Sequence, residues 1–177
     1  MYKYISLLRG INVGGHRKIL MADLKQMLQN LGAKNPVTYI QSGNVVFEHE
    51  SSDSTKVSQL IHRNIKSRYG FDVPVVSFTS KYLLNCIENN PFTKTHELEQ
   101  LHLTFLSSIP TAENLEYLKN FKSDADDFLI ADQVVYIACK RKYSDSKLGN
   151  PFIEKKLKVS ATTRNWKTVL KLAELSQ

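Results

Sequence analysis

Apolar and polar positions along the chain change period several times, and each change predicts an element. "YKYISLL" (2–8) is dense in aromatic and β-branched residues and predicts a strand. In "MADLKQMLQNLG" the apolar residues Leu24, Met27, Leu28 and Leu31 recur at helical spacing, and Gly32 supplies a stop. "PVTYIQSGNVVFEH" (36–49) holds two strand-like runs around Ser42-Gly43, the signature of a hairpin. "STKVSQLIHRNIKSRYG" places Val57, Leu60, Ile61 and Ile65 on one helical face and ends at Gly70. "FDVPVVSFT" (71–79) predicts another strand, and Pro74 puts it at a sheet edge.

The resulting order, β-α-β-β-α-β, predicts a ferredoxin-like subdomain over residues 1–79, with both helices on one face of a four-stranded antiparallel sheet. Residues 80–177 give a looser echo. A helix over 80–90 stops at Pro91, a strand follows over 101–108, and a helix over 111–121 has Thr111 as its cap. "DFLIA" and "VVYIACK" predict a hairpin through Asp132-Gln133, and "PFIEKKLK" a short helix with Pro151 in its first turn. "TTRNWKTVLKLAEL" predicts a final helix, capped by Thr163, where the first half has its last strand. The fold class is therefore α+β: the ferredoxin-like subdomain, a second related α/β subdomain and a C-terminal helix. No low-complexity linker divides the halves, so they are expected to pack as one compact unit.

Composition narrows the picture. Of 177 residues 42% are apolar and 23% charged, which suits a globular core and excludes a disordered chain. No apolar run reaches the roughly 20 residues needed to span a bilayer, and the start lacks a signal peptide's apolar core, so a cytoplasmic protein without a membrane partner is expected. Cys86 and Cys139 form no metal-ligand or disulfide pattern and read as buried, inert thiols.

The net charge of +7 is unevenly distributed. Residues 1–20 carry Lys3, Arg9, Arg17 and Lys18 with no acid, and residues 140–171 carry ten basic side chains against Asp145 and Glu154. The stretch between them has more acidic than basic side chains. Basic ends around an acidic middle favour an anionic partner.

Candidate chemistry centres on "LLRGINVGGHRK", a glycine loop after the first strand. Gly10 and Gly15 match the Walker A glycine spacing, but His16 and Arg17 replace its lysine and hydroxyl. Asn12 stands where the dinucleotide fingerprint needs its second glycine. The loop therefore reads either as an anion cradle, with the N–H groups of Gly14 and Gly15 beside Arg9 and Arg17, or as a bend that needs positive φ. "IQSGNVVF" lacks the aromatics of an RNA-recognition strand. Its Gln41, Ser42 and Asn44 read as turn formers that could also donate to a ligand. Ser146-Lys147 offers a lysine for an anion more readily than a nucleophile and its base. The scattered histidines carry no metal spacing, and Asp124, Asp126 and Asp127 lack the glycine and glutamate of a calcium loop.

"SLLRGINVGG", "MADLKQML", "TYIQSGNVVF", "GFDVPV", "NPF", "SKL" and "ATTRNWKTVLKLAEL" occur in this order from Ser6 to Leu175. Together they resemble the domain-of-unknown-function family 1697, a group of uncharacterised bacterial proteins. The resemblance implies a compact α+β protein of two related subdomains. It implies no reaction, cofactor, metal or catalytic residue, and none is assigned.

The charge pattern leads to one expected site. Arg9, Arg17, Lys147 and Arg164 would hold an anion with the backbone of Gly14 and Gly15, while Asn12, Asn44 and Asn165 orient it. The expected function is binding of an anionic ligand, a nucleotide, phosphate or nucleic acid. The alternatives are an enzyme acting on a phosphorylated small molecule and a protein-interaction module.

Overall fold

The computed structural model describes residues 1–177 except residue 124, so Asp124 of the acidic turn lies outside the described residues. The chain forms two units. The first comprises Met1–Leu84 with Leu172–Gln177, and the second Asn85–Lys171. The sequence places the boundary after residue 79; in the structure the last six residues belong to the first unit instead.

In the first unit β1 (Tyr2–Leu8), α1 (Met21–Asn30), β2 (Lys34–Tyr39), β3 (Asn44–His49), α2 (Ser54–Tyr69) and β4 (Val75–Thr79) follow the predicted order. The sheet runs β2-β3-β1-β4 and every pairing is antiparallel. Pro74 thus immediately precedes an edge strand, where its missing N–H costs the ladder nothing. Tyr4, Leu8, Val45 and Phe47 pack with Leu24 and Leu28 of α1 and Val57, Ile61 and Ile65 of α2 in one core. Each such side chain contributes about 1.5–3 kcal/mol by leaving water.

Ile5 and Leu7, one residue out of phase with Tyr4 and Leu8, are fully buried as well. A strand buried on both faces reads as an unbroken apolar run, as "YISLL" nearly does. Its one polar member, Ser6, is buried opposite Ser77 with the hydroxyls 2.7 Å apart. α2 starts where Asp53 accepts from the N–H groups of Thr55 and Lys56, and ends at Gly70 in the left-handed region. At the end of this unit Ser80 Oγ lies 2.8 Å from Ser176 Oγ, and Lys3 donates to the Gln177 carbonyl.

α3 (Ser80–Glu88) precedes the second unit's sheet elements, β5 (Leu101–Leu106), α4 (Ala112–Lys119), β6 (Asp126–Ala131), β7 (Val134–Cys139), α5 (Asn150–Leu157) and β8 (Ala161–Asn165), and α6 (Trp166–Leu175) ends the chain. The sheet runs β6-β7-β5-β8, again antiparallel, which repeats the first unit's arrangement position for position. Its core joins Leu106, Val135, Ile137 and Ala161 of the sheet to Leu118 of α4 and Ile153 and Leu157 of α5.

β8 corrects the sequence reading. Thr163 does not cap a helix; it lies within a strand, opposite Thr104. Two physical causes combine. Consecutive β-branched threonines favour the pleated surface, and Thr163 fills every hydrogen-bonding site of its hydroxyl there. Oγ1 donates to Asn150 Oδ1 at 2.8 Å and accepts from Tyr143 Oη at 2.9 Å, which leaves the Thr104 hydroxyl, 2.7 Å away, as a donor. The helix begins three residues later, where Asn165 Oδ1 accepts from the N–H of Thr168 at 2.9 Å. No helix among the described residues is long and apolar enough to cross a membrane.

Candidate functional site

The loop from Arg9 to Leu20 leaves β1 and returns to α1. Its tip is a miniature hairpin. Val13 and His16 form an isolated bridge, and His16 N–H donates to the Val13 carbonyl at 3.0 Å. The two residues between, Gly14 and Gly15, have φ of 57° and 78°. The type I′ turn of a tight two-residue hairpin requires positive φ at both central positions, and a glycine pair meets that requirement without strain. Below the tip, the Asn12 N–H donates to the Arg17 carbonyl at 3.2 Å.

Asn12 fixes the base of the loop. Its Nδ2 donates to the carbonyls of Ile19 at 2.9 Å and Gln41 at 3.0 Å, and its Oδ1 accepts from the Ile19 N–H at 2.9 Å. One amide therefore ties both arms of the loop to the β2–β3 turn. Beside it lies an open cavity of about 300 Å³, lined by Asn12, Gly15, Lys18, Leu20, Met21 and Gln41 together with Ile19. Its floor is the start of α1. Leu20 stands at the cap position and makes no side-chain cap hydrogen bond, and among the described residues no side chain accepts from the first-turn N–H groups. Among the described residues Lys18 is the only formal charge on the lining, although Asp23 lies in the first turn of the helix.

The nine expected site residues divide between the units. Asn12 and Gly15 line the cavity, and Gly14 is at the hairpin tip above it. Arg17 instead turns toward Gly10, where an added Cβ would lie 3.2 Å from its Nη1. The Arg9 N–H donates to the Pro74 carbonyl at 3.0 Å. Asn44 is fully buried, and its Nδ2 donates to the Tyr39 carbonyl at 3.1 Å and to Ser42 Oγ at 3.0 Å, so it serves the turn. Lys18 carries the cavity's charge, yet the sequence marks it only as one of four basic residues near the start. Its sole further signal is its position three residues before the helix.

Lys147, Arg164 and Asn165 belong to the second unit. Lys147 is exposed on the loop before α5. Its neighbour Ser146 donates to Asp126 Oδ2 at 2.6 Å and accepts from the Leu148 N–H at 3.0 Å, so the hydroxyl is committed to holding the loop. Arg164, on β8 opposite Leu103, donates from Nη1 to the Thr163 carbonyl at 2.9 Å. Burial lowers its pKa to about 10, and the guanidinium remains charged at neutral pH. Asn165 uses its Oδ1 to cap α6.

Both cysteines are buried, and neither is in a disulfide. Burial, with a smaller contribution from Asp126, pushes the Cys139 thiol up to about 11. A thiol raised in this way holds almost no thiolate at about pH 8. Cys139 is therefore expected to resist alkylation in the folded protein and to react fully in denaturant, which mass spectrometry of iodoacetamide-treated samples checks. Equal labelling in both states would contradict the burial argument. Among the described residues, no group of three or more histidine, cysteine, aspartate or glutamate side chains could hold a metal ion.

Comparison with known proteins agrees with this architecture. No curated protein matches the chain. A solved structure, that of the conserved bacterial protein SP0830 from Streptococcus pneumoniae, is 24% identical, with 99% of each chain covered and a TM-score of 0.80. A likeness at that identity shows the fold. The family model described as "Protein of unknown function (DUF1697)" matches residues 1–136, a range that holds the glycine loop, the Gln41–Asn44 turn and the first unit's whole sheet. On that match over most of its length, the chain belongs to the DUF1697 family of proteins of unknown function.

Proposed function

We propose that the first unit binds an anionic ligand, a phosphate-bearing nucleotide or a nucleic acid, in the cavity between the glycine hairpin and the start of α1. The observation that carries this reading is the uncapped N-terminus of a ten-residue helix opening into a cavity beside Lys18. Free first-turn N–H groups and the positive end of the helix dipole form an anion site together. The Gly14 and Gly15 N–H groups, which donate to no carbonyl among the described residues, add donors at the tip. Arg9 and Arg17 belong to the same acid-free stretch, residues 1–20, and add to its positive charge.

Strand order β2-β3-β1-β4 with β-α-β-β-α-β connections supports a ferredoxin-like split βαβ unit, and the matching order in the second unit supports a second copy of that plan. Buried thiols outside any disulfide fit residence in the reducing cytoplasm.

The test is titration of the full chain with inorganic pyrophosphate, AMP and a short single-stranded oligonucleotide, followed by amide NMR. Saturable shifts are expected at Gly15, Leu20 and Met21, and Lys18→Ala should weaken binding about fivefold, as loss of one partly exposed ion pair would. An oligonucleotide that makes several phosphate contacts should lose affinity steeply between about 50 and 200 mM salt, whereas AMP should lose little. If no anion shifts these amides at low salt, the proposal fails.

A further inference from the structure

We infer that the second unit carries a separate binding site for a small organic acid, one with an apolar body and a hydrogen-bond donor remote from its carboxylate. The site is a cavity of about 430 Å³ where β5, the end of β8 and the first turns of α6 meet. That volume suits a small molecule, and the lining has the expected mixture of apolar wall and few polar groups.

The apolar wall comes from Leu98, Trp166 and Leu170. Leu98 is 51% exposed and Leu170 is 41% exposed, so both present apolar surface at the opening. Leu98 is held in place by the turn over Leu98–Gln100, where Glu97 and Gln100 cap each other reciprocally.

The polar wall is more informative, because the fold assigns each group a role. His102 Nδ1 lies 3.1 Å from the Gln100 carbonyl. A carbonyl only accepts, so Nδ1 carries the proton and Nε2 of the neutral ring is left as an acceptor. Burial lowers the ring's pKa from its ordinary value, which keeps it neutral near pH 7. The ring cannot rotate freely. It stacks on Tyr143 with centroids 4.6 Å apart and planes 19° apart, and Tyr143 is anchored through Thr163. Asn165 has the complementary constraint: Oδ1 is used by the helix cap, so Nδ2 is left as a donor.

Lys167 sits on the same lining and completes the recognition set. A carboxylate would take Lys167 and Asn165 Nδ2, a hydroxyl or amine would donate to His102 Nε2, and the body would rest on Leu98, Leu170 and Trp166. Glu99, also on the lining, disfavours a second carboxylate.

Three probes separate the contributions: 4-hydroxyphenylacetate, phenylacetate without the donor, and 4-hydroxyphenylethanol without the carboxylate. NMR titration of the full chain should show saturable shifts at the His102 ring, the Asn165 side-chain amide and the Leu98 and Leu170 methyls. 4-Hydroxyphenylacetate should bind most tightly. Lys167→Ala should weaken the two acids about threefold and leave the alcohol unchanged. Leu170→Glu should weaken all three. Lys167 is exposed and Leu170 is 41% exposed, so neither substitution places a new group in the core. The inference is overturned if no probe saturates in the millimolar range, if the three bind equally, or if both substitutions leave binding of the hydroxy acid unchanged.

Discussion

Gly43→Ala is expected to destabilise the protein by about 3 kcal/mol, seen as a lower urea midpoint at an unchanged slope. Two costs add. Gly43 has φ of +81°, a region that costs a residue with a Cβ about 1–2 kcal/mol. The added Cβ would also lie 2.7 Å from the Leu8 carbonyl oxygen, 2.7 Å from Leu8 Cβ and 3.1 Å from Ile11 Cδ1. Leu8 cannot retreat: its N–H donates to the Gly43 carbonyl at 2.7 Å, it pairs with Val75, and its side chain is fully buried in the core. Overpacking against a fixed backbone costs about 1–3 kcal/mol. Gly15→Ala is the control. Gly15 has a similar φ, but nothing lies within 4 Å of the position a Cβ would take. It should lose only the conformational part, about 1 kcal/mol. Equal losses at the two positions would show that packing against Leu8 contributes nothing.

The same contact shows how far local sequence could be read. "QSGN" marks a hairpin from its residues alone, and the helical stripes of α1 and α2 are visible at their own spacing. What local sequence could not reveal is why Asn44, a polar residue, is fully buried: the turn that encloses it closes against Leu8, 35 residues earlier in the chain. β8 escaped for a related reason. Thr162-Thr163-Arg164 directly precedes a strong helical stripe, and a threonine there reads as a cap. Its place in the sheet depends on Thr104, Tyr143 and Asn150, the farthest of them 59 residues away. The two glycines after Asn12 were legible as a turn or an anion cradle, but the cavity beside them depends on the Asn12 side chain donating to the Gln41 carbonyl. His102 carried no motif, because its tautomer is set by the Gln100 carbonyl and its orientation by Tyr143.

Asn12→Ala is expected to cost about 2–3 kcal/mol and to release the whole loop. The substitution removes three hydrogen bonds and leaves the Ile19 N–H, beside a buried side chain, without its acceptor. Each such loss costs about 1 kcal/mol, and more where the abandoned group is shielded from water. Alanine must also adopt φ of 55°, which asparagine tolerates better. Asn12→Gly separates the two effects, since glycine accepts that φ while losing the same bonds. It should be less destabilising than Asn12→Ala by about 1 kcal/mol. Asn12→Asp keeps the acceptor for Ile19 N–H but sets a carboxylate against the Ile19 and Gln41 carbonyls, so it should gain little over alanine. The local consequence is more diagnostic than the global one. Hydrogen exchange at Asn12 and His16, whose N–H groups close the miniature hairpin, should accelerate in all three variants, because the hairpin is tied to the body of the unit through this side chain. If exchange there is unchanged while stability falls, the loop is held by something other than Asn12. If exchange accelerates and pyrophosphate no longer shifts Leu20 and Met21, the anion site requires the cavity wall as well as the helix end, because α1 itself, with Leu24, Met27 and Leu28 buried in the core, stays in place.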